Sequence, residues 1–201
     1  DASDEAPRAA HPLVGEGAES LTAPTRLAEL HSAAAEVTAG RGASAAELSF
    51  HLLRAGPQRW AEAVEQCVRA AEDSASVTAH ETVVLHYRQA AEVLAAHPEE
   101  LRTRFEVAFA LAGAVERAQG PAESEPMYVE ALDLARRLGD PELIGRAAAR
   151  HDIQYFLDGT RTSRRADECE AALAGLPEGD SALRVRLMAQ RATAALARID
   201  V

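Results

Sequence analysis

His151, Asp152 and Tyr155 are the residues of this chain whose types and spacing best suit acid–base work. On a helix His151 and Tyr155 lie one turn apart, and with the Asp152 carboxylate between them they can offer proton donors and acceptors to one pocket. Asp152 also breaks a pattern. The short motif Tyr87-x-x-Ala90, Tyr128-x-x-Ala131 and Cys169-x-x-Ala172 recurs every 41 residues. In that register Asp152 stands where Ala70 and Leu111 supply apolar packing. A carboxylate taken out of water there needs a cation or hydrogen bonds to remain charged. Arg117 and Arg150 are the expected partners, and such pairing is the structural alternative to catalysis.

Other chemistries are excluded or unsupported. All 21 basic side chains are arginine, so neither a phosphate-cradling P-loop lysine nor a Schiff-base lysine exists. His80 and His86 face different sides of a helix, and His86 and His97 stand roughly 16 Å apart at 1.5 Å per residue, so no metal site is expected. Cys67 and Cys169 have neither disulfide-framework nor zinc spacing and are expected reduced in the core. No cofactor is implied. A net charge of −11 opposes direct nucleic-acid binding. No stretch approaches the roughly eighteen apolar residues of a membrane span, so the expected location is the cytoplasm.

The elements that position these residues are helical. Aromatic residues make up only 4% of the chain, and alanine, leucine, glutamate and arginine dominate, as suits closely packed helices. Residues 1–21, with Pro7, Pro12, Gly15 and Gly17, predict a flexible lead-in. Helices are predicted over 24–39, 44–55, 58–76, 79–96, 98–118, 122–138, 141–157, 163–175 and 180–199. Gly56-Pro57, Gly120-Pro121 and Gly139-Asp140-Pro141 stop one helix and start another, because glycine accepts left-handed C-cap dihedrals and proline suits a first turn. The expectation is one all-α array over 22–201, since units of such a repeat bury their apolar faces only against neighbours.

The segment from Phe105 to Leu138 resembles a tetratricopeptide repeat, with Leu111 and Ala112 in its first helix, Tyr128 as the large residue of the second and Ala131 as the close-contact alanine. The consensus tryptophan is replaced by Ala108. More broadly the chain resembles the helical region behind the ATPase module of actinobacterial large ATP-binding (STAND ATPase) transcription regulators of the LuxR type. The strings are His11-Pro12-Leu13-Val14, AELSFHLLRAGP at 46–57, LHYRQAAEVL at 85–94, DLARRLGDPEL at 133–143 and LPEGDSALRVRL at 176–187. The resemblance implies a tetratricopeptide-like right-handed superhelix of about four helix pairs plus a C-terminal capping helix. It also implies a signal-sensing role, in either a region of a larger regulator or a stand-alone descendant.

In such arrays the first helix of each pair lines the concave face. Carried over by register, that rule places Glu65, Val68 and Glu72 there, then Glu106, Phe109 and Glu116, then Arg150 and Gln154. The expected groove is acidic and suits a basic or amphipathic peptide or protein segment, with Val68 and Phe109 as apolar anchors. The leading expectation is therefore a non-enzymatic sensor or interaction scaffold. The alternative is a stand-alone biosynthetic protein that binds or transforms a small metabolite near His151, Asp152 and Tyr155. The final helix carries an apolar stripe of Leu183, Leu187, Met188, Ala195, Leu196 and Ile199, which predicts a homodimer if it is exposed.

Overall fold

The computed structural model describes residues 17, 19–77, 79–150 and 159–196, with side chains described from 166 to 193 in the last stretch. Every regular element among the described residues is helical, so the protein is all-α. The chain divides into two compact units, residues 1–66 and 67–201.

In the first unit, helices α1 (Pro24–Gly40) and α2 (Ala45–Leu52) pack together, and a 3-10 turn at Pro57–Arg59 leads into α3 (Trp60–Ser76). Residues 17 and 19–21, expected in the flexible lead-in, are helical. The Ser44 hydroxyl accepts from the Glu47 amide at 3.2 Å, so the S-x-x-E sequence starts α2 by satisfying one of its orphan donors. Ala35, Leu52 and Ala63 form the core of this unit, with Leu48 and Leu53 against it. Arg59 donates to the Ser32 hydroxyl at 3.1 Å and to Glu62, holding the turn before α3 against α1.

The second unit holds α4 (His80–Ala95), α5 (Leu101–Gln119), α6 (Pro121–Leu138), α7 (Pro141–Ala148), α8 (Gly159–Gly175) and α9 (Ala182–Leu196). Packing runs between sequence neighbours from α4 to α9, with α9 also touching α7. Gly120 alone joins α5 to α6, ending one and preceding the other at φ 108° and ψ 172°. That is a backbone conformation only glycine adopts without strain. Ala108, Ala131 and Ala135 let the two helices close around the fully buried Phe105. The recurring alanines Ala90, Ala131 and Ala172 are all buried, so the 41-residue register marks one packing position three times.

The helix predicted over 141–157 ends instead at Ala148, with Ala149 at φ −83° and ψ 16°. No breaker in the sequence announces this stop. Its physical reason is tertiary: Arg150 is buried, bonds Glu125 at 2.7 Å and stacks over the Tyr128 ring at 5.4 Å, and those contacts outweigh the helical preference of an alanine run. The next helix begins at Gly159 and not at 163. On α9, Leu187 is fully buried and Leu183 packs with it against Ala148, Cys169 and Ala172. Two members of the stripe predicted for self-association thus face the unit's own core, while Met188 and its neighbour Val185 are exposed.

Candidate functional site

A cavity of about 570 Å³ opens in the second unit. Helix α3 contributes Glu72 and Ala75, α4 contributes Val83 and Tyr87, and α5 contributes Phe109, Ala110, Gly113, Glu116 and Arg117. Tyr128 of α6, Arg146 of α7, Ala149 and Arg150 just beyond it, and Arg186 of α9 complete the wall. The size falls in the roughly 300–1,000 Å³ range of small-ligand sites.

Part of the wall, Phe109 and Tyr128, belongs to an aromatic ladder that is backed by the buried Phe105. Phe105 and Phe109 stack at 5.7 Å between centroids, and Phe109 meets Tyr128 edge to face at 5.8 Å. Such pairs are worth about 0.5–1.5 kcal/mol each beyond the area they bury, so the rings form a rigid surface. Arg146 lies over both phenylalanines, 5.3 Å from Phe105 and 5.2 Å from Phe109. Its fork is fixed by two 2.8 Å bonds to Glu106. That carboxylate holds the Arg146 pKa above its ordinary value. The Tyr128 hydroxyl donates to Glu116 at 2.8 Å, and burial, then this bond, raise the phenol's pKa so that it stays protonated.

At the centre of α5, Gly113 keeps the wall open. A methyl group there would stand 3.4 Å from the Arg117 guanidinium and 3.7 Å from the Tyr128 hydroxyl. Asp140 fixes the start of α7, accepting from the Glu142 and Leu143 amides at 3.0 and 3.3 Å and from Arg102 at 2.6 Å. The Leu143 amide foremost, then Arg102, hold its carboxyl below the ordinary range.

Of the groove residues expected from the register, Glu72, Phe109, Glu116 and Arg150 line this cavity together. Glu106 stands behind it, reaching the wall through Arg146. Val68 is half-buried and not part of the lining, while Glu65 is exposed in the first unit. Gln154 and the acid–base set His151, Asp152 and Tyr155 lie outside the described residues. Arg150, one expected partner of Asp152, pairs with Glu125.

The lining is not acidic as expected: Glu72 and Glu116 face Arg117, Arg146, Arg150 and Arg186. The register followed two or three positions on each first helix and so passed over Arg117 and Arg146, which lie on those same helices at other positions, and Arg186 on α9. It also passed over Gly113, which stands 41 residues after Glu72 and three before Glu116. A glycine at a position occupied elsewhere by long side chains was the available signal for an opening. Tyr87 and Tyr128 were visible as repeat residues, but packing alone accounts for such positions in a sequence.

Among the described residues no group of three or more His, Cys, Asp or Glu side chains could hold a metal ion, and no helix is long and apolar enough to cross a membrane. No family model, curated protein or solved structure matches the chain.

Proposed function

We propose that the protein is a non-enzymatic sensor or interaction module, in which residues 67–201 form a tetratricopeptide-like right-handed stack that binds a peptide segment or a small metabolite in the cavity beside α5. The reading includes kinship with the helical region of ATP-binding transcription regulators and a cytoplasmic setting. The observation that carries it is the cavity itself. A rigid aromatic wall and several charged groups converge on a space of ligand size, and the wall's own ion pairs hold it in shape before anything binds. Arginines stacked on rings and fixed by carboxylates suit recognition more than proton transfer, because a guanidinium does not give up its proton near neutral pH.

The test is a ligand-observed NMR screen of short peptides and metabolites against the wild type and Gly113→Leu. The new side chain occupies the cavity from the centre of α5. Hits that vanish in the variant, with its helical circular dichroism intact, support the cavity as the binding site. Hits that bind both proteins equally, or an absence of hits, would overturn it.

A further inference from the structure

The charged and hydroxyl groups of the cavity wall fall into two sets. Arg146, Arg150, Glu116 and the Tyr128 hydroxyl are engaged, with Glu106, with Glu125 and with each other. Glu72, Arg117, Arg186 and the Tyr87 hydroxyl line the same space and have no hydrogen bond or ion pair among the described residues. Glu72, Arg117 and Arg186 are exposed, so water satisfies them in the free protein and a ligand can replace that water without breaking a bond within the protein.

The second set is also mixed in sign. Glu72 and Arg117 both act on the half-buried Tyr87: burial, then the Glu72 charge, raise its pKa, and Arg117 opposes them. One carboxylate and one guanidinium therefore stand near a single phenol without pairing to each other. Arg186 adds a second guanidinium from α9. Had the site evolved for an anion alone, Glu72 would repel it; for a cation alone, Arg117 and Arg186 would.

We propose that the cavity binds a zwitterion carrying an α-ammonium and a carboxylate, of the size of an amino acid or short peptide, with the ammonium at Glu72 and the carboxylate at Arg117 and Arg186. The Tyr87 hydroxyl bridges the two, donating to the carboxylate or accepting from the ammonium. Phe109 supplies the platform for an apolar or aromatic side chain. Arginine suits the carboxylate end because its planar fork matches two oxygens at once. This inference rests on the cavity being a ligand site, as proposed above.

The experiment is isothermal titration calorimetry of the full chain with alanylphenylalanine, its N-acetyl form, its C-terminal amide, the doubly capped form, and free phenylalanine. The zwitterionic dipeptide is expected to bind at least tenfold more tightly than either singly capped form, and the doubly capped form more weakly still. Glu72→Gln is expected to abolish the preference for a free amine only, and Arg117→Gln or Arg186→Gln the preference for a free carboxylate. Comparison of dipeptide with free phenylalanine separates a peptide end from an amino acid as the source of the zwitterion. Capped and free forms that bind equally, but not to Gly113→Leu, would overturn the zwitterion and leave the cavity reading intact. No binding by any of the five compounds would overturn the zwitterion as well, and the broader screen then decides the cavity on its own.

Discussion

His31 and His51 illustrate how a single contact sets a pH response. Their Nδ1 atoms lie 3.0 Å apart, a hydrogen bond that needs one ring to donate and the other to accept. His31 is buried against Phe50. Burial first, then the nearby His51 and Arg54, lower its pKa, while Glu19 opposes them. The folded protein thus holds this proton less tightly than the unfolded chain does. Its contribution is complete above the ordinary value of 6.5 and is lost as pH falls through the lower folded value. Urea unfolding of the first unit, followed by Trp60 fluorescence, is expected to weaken below pH 6.5 in the wild type and to lose that component in His31→Phe. An unchanged profile in the variant would count against the pair. At this scale the sequence was least informative. His31 and His51 are 20 residues apart and share no motif, and Arg117 and Arg186 look like any surface arginine until helices bring them to one cavity.

Elements were far more legible, because glycine and proline mark their ends by local chemistry. Gly120-Pro121 and Gly139-Asp140-Pro141 gave both boundaries of α6 to within a residue. The end of α7 was invisible because its cause, the seating of Arg150 on Tyr128 and Glu125, is a contact with α6. Gly145 shows the same contrast between propensity and packing. In the middle of α7, replacing glycine by alanine normally stabilises a helix by up to about 1 kcal/mol. Here the added methyl would lie 2.9 Å from a Leu183 methyl and 3.5 Å from Leu187, on the seam where α9 docks. Gly145→Val is expected to destabilise by about 1–3 kcal/mol through overpacking. Chemical denaturation of the variant checks this; equal or greater stability would show that α9 is not seated there. By contrast Arg146→Lys, which breaks a two-point contact with a half-exposed Glu106, is expected to cost under about 1 kcal/mol by the same measurement.

For the molecule as a whole, the all-α class followed from composition and period, since few aromatic residues and many alanines leave close helix packing as the way to build a core. Division into two compact units was not legible, because the boundary at Gln66 falls inside α3, with no glycine, proline or change of composition to mark it. In the second unit helices pack chiefly on their neighbours in sequence, α4 on α5 at one end and α9 on α8 and α7 at the other. Stability in such stacks is graded along the chain, and ends open first. The two cysteines turn this gradient into something measurable. Cys67 and Cys169 are 0% and 1% exposed, and the Cys169 thiol donates to the Ala148 carbonyl at 3.6 Å. Neither can react without local opening, so each acts as a built-in clock for its own end of the unit. Pulsed alkylation read by mass spectrometry is expected to modify Cys67 and Cys169 at different rates, with simultaneous modification indicating all-or-none opening. A chain without lysine offers no side-chain amine to label, yet its two hidden sulfurs give site-resolved unfolding rates from the native sequence, without an engineered probe.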